Sequence, residues 1–114
     1  MIRRVNEQSV DLREKVLGGT GSYLSRSLFS MQDLGNRARL FAVNTMQPGV
    51  SIGIHSHTGE GEVYLILSGE AVVTEDGTEY VLHPGEAEFC TDGHCHAIEN
   101  RSDKPMEFLA LILL

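Results

Sequence analysis

Turn-forming residues recur at short intervals throughout the chain after residue 37. They supply positive φ, fixed φ or side-chain hydrogen bonds where the backbone reverses, and the Asp76-Gly77 pair is the strongest hairpin signal among them. Between the turns, apolar residues alternate with polar ones or form short runs, as in strands rather than helices. The sequence therefore predicts strands over residues 39–46, 51–57, 62–68, 70–75, 79–82, 87–90, 94–100 and 106–113.

Many short strands at close spacing predict an all-β sandwich or barrel with a filled or ligand-holding interior. At 114 residues the chain is long enough for one hydrophobic core but not for two. We expect residues 37–114 to form the barrel. Residues 1–36 are expected to form an N-terminal arm and edge strand of the same domain.

The N-terminal arm has its own pattern. A short helix or irregular segment is expected around residues 9–16, followed by a break at Gly18–Gly21 and an extended edge strand over 22–28. A single helical turn ended by Gly35 is expected over 30–36. The glycine cluster lacks the preceding strand, the third fingerprint glycine and the P-loop lysine, so a flexible connection is favoured over a phosphate-binding loop.

Two histidines lie two residues apart in the strand predicted over 51–57. Side chains alternate between the faces of a strand, so His55 and His57 point the same way and can bind one ion. A turn containing Gly59 and Gly61 then leads to Glu62, which places a carboxylate at the start of the next apolar strand.

His96 supplies a third nitrogen donor from a strand much later in the chain. Together, His55, His57, Glu62 and His96 offer three imidazoles and one carboxylate. This donor set suits manganese, iron, nickel, cobalt or zinc better than calcium or magnesium. The sequence predicts a site for one divalent transition metal.

The spacing of these residues resembles the two motifs of the cupin superfamily. Gly49, His55, His57, Glu62 and Gly69 match the first motif, Gly-x5-His-x-His-x3/4-Glu-x6-Gly, in full. Gly85, Gly93, His96 and Asn100 match the second motif, Gly-x5-Pro-x-Gly-x2-His-x3-Asn, with Thr91 in place of the usual proline. That departure changes a turn residue and no ligand.

The resemblance implies a double-stranded β-helix, which is a jelly-roll barrel, with the four donor residues around a divalent metal in its interior. The motifs span Gly49 to Asn100, close to half of the chain. In appearance the chain is similar to small single-domain cupins described as oxalate-decarboxylase-like. It has no residue that matches the catalytic lid glutamate of the two-cupin oxalate decarboxylases.

Two further residues are candidates for catalysis. Glu60 lies between two glycines just before Glu62, where it could act as a general acid or base, serve as the competing ligand, or remain a solvated loop carboxylate. Tyr64 shares a strand face with Glu62 and is expected to point inward, either presenting its hydroxyl to a ligand or packing in the core. His94 shares a face with His96, and an exposed turn histidine is favoured over a position at the pocket rim.

Aromatic and sulfur side chains are assigned to the interior. Phe41, Phe89 and Phe108 are expected to fill the barrel. Cys90 and Cys95 are too few for a disulfide framework and are expected to be reduced, partly buried thiols.

The formal net charge of −7 gives no electrostatic support for binding a phosphate backbone, so no nucleic-acid partner is expected. The chain has no apolar stretch long enough to cross a bilayer and no signal-peptide core, so we expect no membrane partner and a cytoplasmic location.

Two functions remain open for such a chain. The first is a metal-dependent enzyme that acts on a carboxylate- or carbonyl-bearing small molecule, as a decarboxylase, isomerase, lyase or dioxygenase. The alternative is a non-catalytic cupin that binds a sugar, an organic acid or only a metal. A homodimer is expected, because the apolar run LALILL must be covered, an open edge near residues 22–28 could pair with a second chain, and small cupins commonly dimerise.

Overall fold

The computed structural model describes all 114 residues and contains almost only β-structure. Two single-turn 3-10 helices, Val5–Glu7 and Val16–Gly18, are the only helices, and neither is long or apolar enough to span a membrane. The strands are β1 Ser9–Glu14, β2 Ser22–Ser27, β3 Ala38–Met46, β4 Ser51–Ser56, β5 Gly61–Ser68, β6 Ala71–Glu75, β7 Thr78–Leu82, β8 Ala87–Cys90, β9 Cys95–Glu99 and β10 Met106–Leu113.

The strands form two antiparallel sheets that enclose the core. One sheet has the order β1-β2-β3-β10-β5-β8 and the other has the order β4-β9-β6-β7. The all-β jelly-roll prediction is confirmed, and all eight strands expected after residue 37 are present with bounds that differ by two residues at most. Two pairs of opposed residues matter for function: His55 lies opposite His96 on β4 and β9, and Tyr64 lies opposite Glu88 on β5 and β8.

The N-terminal arm differs from the sequence prediction. Residues 9–14 form strand β1 rather than a helix, because Val10 and Leu12 alternate with polar residues and Leu12 pairs directly with Leu24 of β2. The open edge of the sheet is therefore β1 and not the strand near residues 22–28. Residues 30–36 contain the expected single helical turn: the Leu34 amide donates a 3.1 Å hydrogen bond to the Ser30 carbonyl, and Gly35 ends the turn in the left-handed region at φ 63°.

The core lies between the two sheets and is built around Tyr64, Phe108, Met46 and Ile98, which are all buried. The prediction for Phe108 is confirmed, but the prediction for Phe89 is wrong, since its side chain is 49% exposed. Phe89 is exposed because successive side chains of β8 point to opposite faces of the sheet.

Cys90 is fully buried and the Glu88 side chain is 8% exposed, so the residue between them faces outward. Phe41 also points away from the core, because its neighbours Ala42 and Asn44 alternate with it across β3. Its ring stacks on Phe29 with the ring centroids 6.2 Å apart.

The 3-10 turn Val16–Gly18 packs on β4 through two glycines. A Cβ atom at Gly53 would collide with the carbonyl oxygen of Leu17, and one at Gly19 would collide with the carbonyl oxygen of Ser51. The Ser51 amide also donates a 2.9 Å hydrogen bond to the carbonyl of Thr20. Backbone therefore lies directly on backbone, and this contact holds the arm against the mouth of the barrel.

Candidate metal centre

Four donor atoms converge inside the barrel from three strands and one loop. His55 is on β4, His57 directly follows β4, Glu62 is on β5 and His96 is on β9. The Nε2 atoms of His57 and His96 are 3.2 Å apart, and Glu62 Oε1 lies 3.1 and 3.0 Å from them. His55 Nε2 is 3.4 Å from the same oxygen. All four predicted residues are thus brought together, and His55 and His57 share one face as expected.

The other nitrogen of each imidazole is occupied by an acceptor. Since Nδ1 donates the proton in each of these contacts, a neutral ring directs its Nε2 lone pair into the cluster, where an ion could accept it. The acceptors are the Gly53 carbonyl for His55 (2.8 Å), the Glu60 carboxylate for His57 (2.7 Å) and the Glu88 carboxylate for His96 (2.8 Å).

These separations fit a bound transition metal. For metal-donor bonds of about 2.1 Å, neighbouring donors of an octahedral ion lie about 3.0 Å apart, and those of a tetrahedral ion about 3.4 Å apart. The distances of 3.0 to 3.4 Å among the Nε2 and Oε1 atoms lie in this range. The four residues form a His/Glu cluster whose ligand atoms all lie within 4.8 Å of one another.

The electrostatics of the cluster also favour a cation. Burial alone raises the pKa of the Glu62 carboxyl, but hydrogen bonds from His55 and His96 outweigh it and lower that pKa to about 2. Burial lowers the pKa of His96, whereas hydrogen bonds to Glu62 and Glu88 outweigh it and raise that pKa to about 9. Glu62 is therefore an anion at neutral pH, and the raised pKa of His96 shows that the carboxylates draw a positive charge to this ring; a bound metal ion would take the place of the second proton, on His96 Nε2.

A cavity of about 210 Å³ opens beside the donors. Its walls include His55, His57 and Glu62 together with apolar side chains such as Leu40 and Ile52. This volume is below the range of about 300–1,000 Å³ that is typical of drug-sized ligand sites, so the cavity suits a small molecule.

Tyr64 lines the cavity and supports His96. Its ring is parallel to the His96 imidazole, with centroids 4.5 Å apart. The hydroxyl is buried without a hydrogen-bond partner. Burial, reinforced by the negative charges of Glu62 and Glu88, raises the pKa of Tyr64 well above its ordinary value. The predicted inward orientation of Tyr64 is confirmed, while a catalytic role stays a prediction.

Glu60 lies outside the ring of four donors. It accepts two hydrogen bonds from the Arg39 guanidinium, at 2.8 and 2.7 Å, and one from His57 Nδ1. The Arg39 hydrogen bonds, assisted by that from His57, lower the pKa of Glu60 to about 2. The Glu60 carboxylate is therefore neither solvated nor beside the Nε2 atoms. It holds the His57 ring, and its action as an acid or base stays a prediction.

His94 is the exposed turn histidine that the sequence favoured. Its Nδ1 atom is 2.5 Å from Asp76 Oδ2 at the surface, and its side chain is 52% exposed. Both cysteines are free thiols, Cys90 buried and Cys95 partly buried, as predicted.

Sequence reasoning missed the acceptors behind the histidines and the arginines at the cavity. In the run AEFC, Glu88 and Cys90 lie on one face of the strand and Phe89 lies on the other. The large apolar Phe89 suggests that its own face is the inner one, and only Cys90 indicates that Glu88 points inward. Arg39 lies at the start of β3 and Arg13 on β1, far from the motifs in the chain. No local spacing links these arginines to the histidines, because the sheet order alone brings them together.

Comparison with known proteins identifies the architecture. A family model described as "Cupin domain" matches residues 42–112. The chain is 38% identical to an "Oxalate-binding protein" of Thermotoga maritima over all of its own length and 94% of the relative. A crystal structure from Thermotoga maritima, of a protein described as a predicted oxalate decarboxylase, superimposes with a TM-score of 0.96 at 38% identity and covers 100% of this chain and 99% of that one.

More distant relatives share parts of the chain or only its fold. The tetracenomycin polyketide synthase protein TcmJ of Streptomyces glaucescens is 31% identical over 71% of this chain and 54% of its own length. KdgF from Halomonas sp. has a TM-score of 0.80 at 12% identity, over 99% of this chain and 92% of that chain, and shows the fold alone.

Proposed function

Because this chain belongs to the cupin family, we propose that it binds one divalent transition metal through His55, His57, Glu62 and His96 and, at that metal, a small carboxylate such as oxalate. The observation that carries the proposal is the convergence of three imidazole Nε2 atoms on one Glu62 oxygen. The full-length similarity to a protein named for oxalate binding supports the choice of ligand.

Four protein donors leave two positions of an octahedral ion for ligand oxygens. The 210 Å³ cavity lies beside these donors, and its apolar residues, including Ile52 and Ile112, would shield part of a bound acid from water. A bound divalent ion would supply Lewis-acid stabilisation of a ligand oxygen.

Metal content tests the first half of the proposal. Protein purified without added metal or chelator should contain close to one equivalent of manganese, iron, nickel, cobalt or zinc by mass spectrometry. His96→Ala should lose the metal, because it removes one donor from a buried cluster. His94→Ala, at an exposed histidine two residues away, is the matched control and should keep it. Equal metal content in both variants would refute the assignment.

Titration calorimetry tests the second half. Metal-loaded protein should bind oxalate, and the same protein stripped with a chelator should not, since the ligand oxygens are expected to bind at the ion. Oxalate binding that is unaffected by metal removal would contradict a metal-dependent site.

A catalytic function is the second candidate, and the partnerless hydroxyl of Tyr64 favours it. Glu60 and Tyr64 are the residues proposed to move a proton, although the charge of Glu60 is neutralised by Arg39 and the tyrosine resists ionisation. Binding therefore has the stronger support. Formate or carbon dioxide production from oxalate, lost in Tyr64→Phe while oxalate still binds, would establish turnover as a decarboxylase. Keto-acid and keto-sugar panels would test the isomerase, lyase and dioxygenase alternatives.

We also propose a homodimer formed by the outer face of the six-stranded sheet. Alternate residues of β10 and β5, Leu109 and Leu111 with their opposed partners Leu65 and Val63, point away from the core and are partly exposed. A contiguous apolar face of this kind marks an interaction surface.

The two free thiols support a reducing compartment, and we propose a cytoplasmic location on that basis.

A further inference from the structure

One wall of the cavity beside the metal centre is built by the N-terminal arm. Arg13 from β1, Val16 and Leu17 from the 3-10 turn and Tyr23 from β2 all line it. These residues lie outside the segment 42–112 that matches the cupin family model. One wall of the ligand space is therefore built by a part of the chain that supplies none of the four donors.

Arg13 is the arginine at this cavity whose charge is not neutralised. Three arginines line the cavity or the adjoining one of about 420 Å³, and two of them are engaged: Arg3 pairs with Asp33 at 3.1 Å, and Arg39 pairs with Glu60 at 2.7 Å. Arg13 lines both cavities and forms no ion pair. A guanidinium facing an enclosed space without a carboxylate is available for an anionic ligand.

Tyr23 stands beside Arg13. The two residues are directly opposed on β1 and β2, and the Tyr23 side chain is buried. Burial raises the pKa of Tyr23, and the nearby Arg13 opposes this shift. A neutral hydroxyl next to a guanidinium provides a second hydrogen-bond donor for a carboxylate oxygen.

The backbone that carries Arg13 is held in place. β1 is paired along its whole length with β2, and the turn that follows packs backbone to backbone on β4 at Gly19 and Gly53. The Lys15 amide donates a 2.9 Å hydrogen bond to the Gly21 carbonyl, which closes the loop between the strands. A recognition side chain on such a fixed strand is placed more reproducibly than one on a loop.

The charges around the cavity match a dianion better than a monoanion. The Glu60 and Arg39 charges cancel, which leaves Glu62 and Arg13 as the uncompensated side chains lining the cavity. With a divalent cation bound by the four donors, positive charge faces the cavity at two places, the ion and Arg13. A dicarboxylate would present a carboxylate to each, whereas a monocarboxylate would leave one of them without an anionic partner.

We propose that Arg13, assisted by Tyr23, binds the carboxylate oxygens that point away from the metal and thereby selects dicarboxylates over monocarboxylates. This inference rests on the proposed function, since it takes the metal centre as the other contact of the ligand. It assigns ligand specificity to the N-terminal arm and metal binding to the barrel.

The test compares oxalate with glycolate, which keeps one carboxylate and replaces the other with a hydroxymethyl group. Their affinities are measured by titration calorimetry for metal-loaded wild type, Arg13→Gln and Arg13→Lys. Arg13→Gln should weaken oxalate binding by about tenfold to a hundredfold, the range for a charged hydrogen bond, and glycolate binding by less than about threefold. Arg13→Lys should be intermediate, because lysine keeps the charge but lacks the planar fork.

Arg4→Gln is the matched control, because it makes the same charge change at an exposed arginine of the arm that lines neither cavity. It should bind both acids as wild type does, and all variants should keep the wild-type metal content and melting temperature. Oxalate affinity within about twofold of wild type in Arg13→Gln would overturn the inference. Equal losses of affinity for oxalate and glycolate in Arg13→Gln would also overturn it, as would equal losses of oxalate affinity in Arg13→Gln and Arg4→Gln.

Failure of the proposed function has a different result. Oxalate binding that persists in the metal-free wild type but falls in Arg13→Gln would refute the metal-dependent site and leave the role of Arg13 standing. Metal-loaded wild type that binds neither acid would overturn both.

Discussion

Glu88 lies behind His96 and accepts a hydrogen bond from its Nδ1 atom. Such an acceptor fixes the ring and its tautomer, and it strengthens the other nitrogen as a donor. Glu88 is therefore as much a part of the metal centre as a ligand would be, although it contributes no atom to the cluster of four.

Replacing Glu88 with glutamine should weaken metal binding by about tenfold, the lower end of the range for such partners. The amide oxygen still accepts the His96 proton, but the negative charge is lost. The measurement is competition with a metallochromic chelator. Glu86→Gln, at an exposed carboxylate two residues earlier, should have no effect. Equal affinities for the two variants would show that Glu88 does not tune the site.

Cys90 should resist alkylation in the native protein. Burial, followed by the negative charge of Glu88, raises the pKa of its thiol to about 12, so the reactive thiolate is scarce at neutral pH. Mass spectrometry after iodoacetamide treatment should find Cys90 unmodified, with both cysteines modified in urea. Rapid labelling of Cys90 in the native protein would contradict its burial.

At the scale of strands, the sequence predicted the barrel and the strand near residues 22–28, but not strand β1. The strands after residue 37 are separated by turn residues that leave little choice of structure, and β8 and β10 match their predicted ranges. The segment SVDLREKV suits either a helix or a strand locally, and only its pairing with β2 decides. Long-range pairing also explains why Arg13 and Glu88 could not be assigned to the site from spacing alone.

Gly53→Ala should loosen the arm from the barrel. The new Cβ would meet the Leu17 carbonyl, which belongs to the backbone and cannot rotate away, so we expect a loss of about 1–3 kcal/mol in unfolding free energy, typical of overpacking. Urea denaturation measures the change. Ile54→Ala, at the exposed neighbouring position, should cost much less. Unchanged stability in Gly53→Ala would mean that the contact is looser than described.

At the scale of the whole molecule, the apolar outer face of the six-stranded sheet is the surface where we expect a second copy of the chain to bind. Phe108, Ala110 and Ile112 of β10 face the core, so the leucines between them must face outward. Leu109 is flanked by Val43 on β3 and Leu65 on β5, which makes the apolar surface continuous across three strands.

Leu65→Glu should convert the proposed dimer to a monomer, because it places a charge in the centre of the outer face. Sedimentation velocity at micromolar concentration measures the change. Val81→Glu introduces the same charge at an exposed valine on β7 of the other sheet and should leave the dimer intact. Wild-type protein that sediments only as a monomer would exclude this interface.

The arm and the barrel contribute different residues to the cavity, and this separation affects how the ligand preference of such a protein can change. Residues 9–27 reach the cavity through Arg13, Tyr23, Ser25 and the turn between β1 and β2, while all four candidate donors belong to the barrel. Under the proposed function, substitutions in the arm would retune ligand preference and leave the four donors unaltered. A graft of this hairpin onto a related barrel would be a direct way to exchange one acid for another.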